Sequence, residues 1–295
     1  MLEGTRFVRL HTAVYCHRDH VLTQVDRIDA ARLGLPTSAR LTGLTRIQQL
    51  GLDFGSLAPI RFVVEGDLHL TLDGVFLHRT KRLPPTDEVG VTPAAAYIAY
   101  CRWARVIDAI KVGDWLLRHS HMTKHGLRDL ALSEQWRDGA DEALWMLDYL
   151  VAGSRSLKES ETRGVLEFSG LPRPEVNKQL PLDDGDLVVI GDLFYRRWRT
   201  VVEYEGSQHQ EDRSQYVSDI DRYALMRRDD FSYVQVTNEK LARARSLVGE
   251  VYRELLTRGY DGPPPTFGHK WRMLFTRITD VLGPRKDRHR ALAVG

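Results

Sequence analysis

Apolar residues recur along this chain in two rhythms, one of three to four residues and one of two, and the switches between them outline the elements. Residues 6–15 alternate enough for a strand or a β-wing. Val21, Leu22, Val25, Ile28 and Leu33 fall at helical intervals and predict a helix over 19–33, broken by Leu35-Pro36. A second short helix is predicted over 39–50, ending at Gly51. Residues 60–64 read as a strand, and 69–72 with 75–78 read as a hairpin about Asp73-Gly74. Thr92-Pro93 joins a hydroxyl cap to a proline at the first helical position and opens a helix over 94–105. Further helices are predicted over 108–119, 123–132 and 134–150, with a linker at 152–156. Beyond it the order is helix (158–170), strands (175–180, 186–192, 199–205), helix (211–228), strand (233–236) and helix (239–258) with Asn238 as its cap.

This order predicts an α+β or α/β chain in which a mixed sheet carries packed helices. The expected division is a helical and β-containing N-terminal domain over 1–151, a second domain over 157–260 and a basic tail over 261–295. The tail begins with Gly262-Pro-Pro-Pro265 and carries Lys270, Arg272, Arg277, Arg285, Lys286, Arg288 and Arg290, read as a DNA arm or a solubilising end around a short helix at 270–282.

Charge changes the picture little. The 42 basic and 40 acidic residues nearly cancel, which argues against a purely electrostatic nucleic-acid binder but leaves local basic patches open. Cys16 and Cys101 are too few for a disulfide scaffold and read as reduced thiols. With no signal peptide and no membrane-length apolar run, the expectation is a cytoplasmic protein with no membrane partner.

The chemistry concentrates at Val201-Val202-Glu203-Tyr204-Glu205-Gly206. Strand alternation sets Glu203 and Glu205 on one face and Tyr204 on the other. Two neighbouring carboxylates on a buried strand repel and lose hydration unless a proton or a cation compensates. Asp192 joins them if its strand pairs antiparallel with 199–203. With His209 nearby, such a cluster suits a hard divalent ion, Mg²⁺ or Mn²⁺, which takes oxygen ligands. The plainer alternative is a set of solvated surface acids. Arg196-Arg197-Trp198-Arg199 mixes basic and aromatic groups, which suits a phosphate backbone or equally an exposed turn. His119, His121 and His125 read as a solvated turn rather than a zinc site, and Trp103, Trp115, Trp136 and Trp145 read as core.

Taken in order, Ser160-Glu161-Thr162-Arg163, Gly170-Leu-Pro-Arg-Pro174, Gly191-Asp192-Leu193, Val202-Glu203-Tyr204-Glu205-Gly206 with His209, and Tyr216-x-x-Asp219-x-x-Arg222 resemble a signature series. It is similar to that of the very-short-patch-repair-endonuclease-like branch of the PD-(D/E)XK nucleases, over about 158–258. The N-terminal part is more loosely similar to abortive-infection antitoxin-like regions, with 6–15 resembling the wing alone of a winged helix-turn-helix. The resemblance implies a restriction-endonuclease-like αβββαβ core with a further helix.

It also implies roles. Asp192 and Glu203 would be metal ligands, and Glu161 would complete the cage or hold a metal-bound water; its plain alternative is a helix-dipole acid. Glu205 stands where the superfamily has a lysine. His209 is a candidate base. Asp219 and Arg222 lie on one helix face, as a surface ion pair or, by the resemblance, with Arg222 toward the phosphate. Arg196, Arg197, Arg199 and Arg222 are the candidate nucleic-acid contacts. The expectation is a Mg²⁺-dependent DNA endonuclease of defence or repair, nicking included. A catalytically weak DNA-binding or antitoxin-like regulator stands as alternative. A phage-defence interaction module is the weaker third. A homodimer and an operon-encoded protein partner complete the expected partners.

Overall fold

The computed structural model describes residues 6–181, 189–205, 224 and 226–285. It is a mixed α and β protein with, among the described residues, sheets of two, three and four strands. Its contacts divide it into two compact units, Met1–Tyr100 with His125–Ala143, and Cys101–Lys124 with Leu144–Gly295. The boundary therefore does not fall at residue 151. The helix predicted over 108–119 is exchanged to the second unit, because its apolar face is used there.

In the first unit, β1 (Phe7–His11) and β2 (Val14–His17) form an antiparallel hairpin. α1 (Gln24–Leu33) starts later than residue 19, at a capping box in which Thr23 accepts from the Asp26 amide and Asp26 accepts from the Thr23 amide. Val21, Val25 and Leu33 are consequently exposed, and Ile28, Ala30 and Ala31 form the buried stripe. β3 (Arg40–Leu41) precedes α2 (Gly43–Gln49), whose range is shorter than the predicted helix.

β4 (Ile60–Glu65) is antiparallel to β3 and parallel to β5 (Val75–Thr80). The hairpin predicted about Asp73-Gly74 is not formed, because β5 takes β4 as its parallel partner and 69–72 stay outside the sheet. Leu72 instead packs on the core of Ile28, Ala31, Leu35, Leu41, Ile60 and Phe62. α3 (Pro93–Cys101) and α5 (Lys124–Ser133) follow the predicted starts, whereas α6 (Ala140–Met146) is only a fragment of the helix predicted over 134–150.

The second unit is built around α4 (Val106–Arg118) packed on α7 (Leu157–Phe168). At their contact Arg163 and Asp114 are both fully buried, and the Arg163 guanidinium donates to Asp114 Oδ2 at 2.9 Å, Glu167 Oε1 at 2.7 Å and the Tyr149 carbonyl at 2.8 Å. Asp114 also accepts from the Val151 amide at 2.7 Å and the Ser160 hydroxyl at 2.8 Å. Burial works against the charged guanidinium, but the Asp114 and Glu167 carboxylates outweigh it and hold the Arg163 pKa above its ordinary value. Burial also pushes the Asp114 carboxyl upward, against the pull of Arg163 and the Val151 amide.

The four strands are β6 (Glu175–Gln179), β7 (Ile190–Tyr195), β8 (Thr200–Tyr204) and β9 (Ser232–Val236), in that spatial order. β6–β7 and β7–β8 are antiparallel and β8–β9 is parallel. β7 lies later than the predicted 186–192, so Asp192 sits inside the strand rather than at its end, and a 3₁₀ turn, Arg196–Trp198, makes the connection. Of the helix predicted over 211–228 only 224 and 226–228 are described, and they are helical. α8 (Asn238–Ala242) and α9 (Ala244–Thr257) replace one predicted helix. Thr237, not Asn238, is the cap, its hydroxyl accepting from the Lys240 amide.

The tail reading changes for 262–285. α10 (His269–Leu274) packs on α7 and α4, α11 (Ile278–Leu282) follows it, and Trp271, Leu274 and Ile278 are buried. Residues 286–295, with Lys286, Arg288 and Arg290, lie outside the described residues.

Removing one partner of a buried ion pair strands the other charge, at a cost of about 3–5 kcal/mol. Arg163→Met is therefore expected to lower the unfolding free energy by about that amount, measured by urea denaturation. A loss below about 1 kcal/mol would show that Asp114 and Glu167 do not depend on this guanidinium.

Candidate functional site

Val201 and Val202 are fully buried, and β8 carries their alternation on to Glu203, which is also buried. The pairs Val201↔Tyr233 and Glu203↔Gln235 place Tyr233 and Gln235 of β9 on the same face as Glu203. Glu205 follows on that face. Its carboxylate accepts from the Tyr233 hydroxyl at 2.9 Å and from the Gln235 side-chain amide. Tyr204 turns the other way and donates its hydroxyl to Asn238 Oδ1 at 2.8 Å.

β7 brings Asp192 to the same place through an irregular stretch. Its pairing to β8 ends at Leu193↔Val202, and continuing that register one step sets Asp192 opposite Glu203. On the other side the β6 pairs Val176↔Leu193 and Lys178↔Gly191 skip Asn177 and Asp192. Asn177 is left-handed there (φ 48°), and its side-chain amide donates to Glu159 Oε2 at 2.6 Å and to the Gly153 carbonyl at 2.9 Å. Released from regular pairing, the Asp192 carboxylate accepts from the Tyr204 amide at 3.0 Å. Asp192 is thus fastened to the peptide unit that follows Glu203. Gly191 is required beside it, since an added Cβ would lie 2.8 Å from Val201 Cγ1 and 3.4 Å from Leu180 Cδ2.

The remaining predicted residues divide. Glu161 on α7 is paired with Lys111 at 3.3 Å and Lys158 at 3.2 Å, so cations already compensate it. Its motif neighbours Ser160 and Arg163 belong to the buried network around Asp114. His209, Asp219 and Arg222 lie outside the described residues.

Of the basic turn, Arg196 forms a two-pronged pair with Glu175, both contacts at 2.7 Å, and these hydrogen bonds hold the Arg196 pKa up and the Glu175 pKa down. Arg199, left-handed at φ 46°, donates to the Asp229 carbonyl and lies 4.2 Å from the Phe231 ring centroid. Arg197 is 70% exposed with Asp261 at 3.7 Å, more exposed than Arg196, whose side chain is held by Glu175.

The histidine reading holds in part: His119 and His121 lie against the Trp115 ring at 4.4 and 5.3 Å, and His125 is exposed and pairs with Asp129. The tryptophan reading fails for Trp103 and Trp136, both exposed. Arg102 lies over the first, and Arg137 and Arg82 over the second. Trp271 is buried instead.

Sequence reasoning missed Tyr233 and Gln235 as the groups that fix Glu205. The polar alternation of Ser232-Tyr-Val-Gln-Val236 was the available signal, since a polar pair on one face of an interior strand needs partners.

A hard divalent cation fits the donor chemistry of Asp192 and Glu203, two carboxylates on adjoining strands. Among the described residues no group of three or more His, Cys, Asp or Glu side chains is arranged to hold a metal ion, so the three-acid cage with Glu161 is not assembled there. Among the described residues, too, no helix is long and apolar enough to cross a membrane. None of the protein-family models, curated proteins or solved structures compared with this chain matches it.

Because Val201 is β-branched and fully buried, a methyl at position 191 cannot be absorbed by an easy side-chain rotation. Gly191→Ala is expected to cost about 1–3 kcal/mol by overpacking. A shift in the urea midpoint at unchanged slope measures it, and an unchanged midpoint would mean that the approach of β7 to β8 is not constrained by Val201.

Proposed function

We propose that the second unit hydrolyses phosphodiester bonds of DNA with the help of Mg²⁺ or Mn²⁺, as a defence or repair endonuclease. The observation that carries this reading is the juxtaposition of Asp192 and Glu203, one carboxylate fastened to the peptide unit that follows the other. Two acids so close on interior strands are costly without a compensating cation. The helix-first arrangement of α7 ahead of β6, β7 and β8, with β9 parallel to β8, agrees with the restriction-endonuclease-like core that the sequence resembles.

Asp192 and Glu203 would hold the ion, which when bound polarises a phosphoryl oxygen and lowers the pKa of an attacking water. Asp192 is oriented by the Tyr204 amide. Glu205, held by Tyr233 and Gln235, is an oriented acceptor able to take the proton of that water. Arg197, broadly exposed in the β7–β8 turn, is a candidate contact for a backbone phosphate. His209 and Arg222 keep their proposed roles as base and phosphate contact, and a homodimer or operon-encoded partner remains part of the proposal.

One observation favours the second reading, a DNA-binding or antitoxin-like regulator with little chemistry. Where the PD-(D/E)XK superfamily at large carries a lysine, this chain has Glu205, which accepts from Tyr233 and Gln235, so that position offers a carboxylate and not an ammonium to the phosphate.

Supercoiled plasmid separates the two. With Mg²⁺ or Mn²⁺ the protein is expected to nick or linearise it, EDTA to stop the reaction, and Glu203→Ala to reduce the rate at least about a hundredfold. Cleavage that persists in Glu203→Ala refutes the catalytic assignment. DNA binding without metal-dependent cutting selects the regulator.

A further inference from the structure

The first unit holds a cavity that the proposed chemistry does not use. The pairs Phe62↔Leu77 and Val63↔His78 turn Leu77 toward the core around Ile28 and Leu41, and turn Val63, His78 and Thr80 to the opposite face of the sheet. There Ala95 and Ile98 of α3 and Leu130 of α5, with Val63, His78 and Thr80, line a cavity of about 380 Å³. That size falls within the range of small-molecule pockets, about 300–1,000 Å³.

Its charged lining is only partly neutralised from within. Arg79, Lys81 and Arg137 line it with Glu134 and Asp138. Three cations against two acids leave one positive charge, because burial pushes the His78 imidazole below its usual pKa, against the pull of Asp138, and keeps it neutral at pH 7. Glu134 accepts from Arg137 and from Arg82, the latter at 2.8 Å, and these bonds hold its carboxyl below the ordinary range, so it stays an anion. Arg79 is taken up by Asp67 at 2.6 Å. Two donors are left over. The Arg137 side chain is 10% exposed, yet its Nη2 has no hydrogen-bond partner among the described residues. The guanidinium lies 4.3 Å from the Trp136 ring centroid, and a π face is a weaker partner than an oxygen. The Lys81 ammonium forms no ion pair or hydrogen bond among the described residues. A buried N–H without an acceptor is costly, which points to an oxygen supplied from outside the chain.

We infer that this cavity binds a small organic monoanion, a carboxylate whose hydrocarbon body lies against Val63, Ala95, Ile98 and Leu130 while its oxygens accept from Arg137 Nη2 and Lys81 Nζ. One carboxylate balances the single surplus positive charge. A phosphate monoester overshoots, since it carries a charge of about −1.5 to −2 at pH 7. A neutral amide of the same shape keeps the apolar contacts and forgoes the charge-assisted hydrogen bonds. The cavity serves this ligand whether or not the second unit cuts DNA.

Isothermal titration calorimetry of the full chain with benzoate tests this. Benzoate is expected to bind with a Kd below about 1 mM. Benzamide and phenyl phosphate are each expected to bind at least about fivefold more weakly. Lys81→Met should weaken benzoate binding at least about threefold and, because Lys81 is exposed, leave the melting temperature unchanged. Ala99 also lines the cavity, and Ala99→Leu should fill it and abolish binding. Arg137 braces the Arg82 carbonyl at 2.8 Å as well, so the variants at 81 and 99 carry the test, with thermal melts confirming that each is folded. If Ala99→Leu fails to fold, Lys81→Met decides alone. Absence of benzoate binding, benzamide or phenyl phosphate binding as tightly as benzoate, or benzoate affinity unchanged in either folded variant overturns the assignment.

Discussion

The second unit depends first on a charge taken fully out of water. Arg163 cannot lose its proton at any ordinary pH, so its burial is tolerable only while Asp114, Glu167 and the Tyr149 carbonyl surround it. Those partners come from α4, from α7 itself and from the segment leading into α7. Meeting the demands of one side chain therefore fixes how the two helices lie together. Gly164, next along α7, faces Ile110 and Leu274, which a Cβ there would meet at an ordinary contact distance of 3.5 Å. Upstream, Glu159 accepts from the Arg155 amide and from Asn177, linking the helix start to β6.

On that frame the acidic face is assembled by different means. The helix-side network is closed, each carboxylate matched to donors inside the protein. Neutral groups are among the donors to the sheet-side acids: a backbone amide to Asp192, a hydroxyl and a carboxamide to Glu205. Neutral donors orient a carboxylate without cancelling its charge. Glu161 lies against two lysines, Lys111 and Lys158.

Much of this was legible in the sequence. Strand alternation correctly put Glu203 and Glu205 together and Tyr204 apart, because β8 is interior on both faces and its register has no freedom. Thr92-Pro93 marked a helix start through chemistry local to it. What local chemistry could not show was choice of partner. Asp73-Gly74 has turn residues, yet β5 pairs in parallel with β4 because the core draws Val75 and Leu77 that way. Helical spacing of tryptophans carries no information on burial once a helix ends early, as α3 does at Cys101, leaving Trp103 outside it. Glu161 and Arg163 stand two apart in one motif, and only packing shows that one meets lysines and the other is sealed inside. The resemblance to a nuclease series concerns residues; their roles divide between framework and chemistry.

The parallel pairing of β8 with β9 has a consequence for assembly in time. β6, β7 and β8 succeed one another by short connections and can zip up as a local meander. β9 joins only after the chain has looped from Tyr204 round to Ser232, a closure that is entropically slow. Gln235 and Tyr233, which set Glu205, arrive with that last strand. The pairing beside Asp192 and Glu203 is thus local in sequence, whereas the groups that set Glu205 come from a strand separated from β8 by a long stretch of chain.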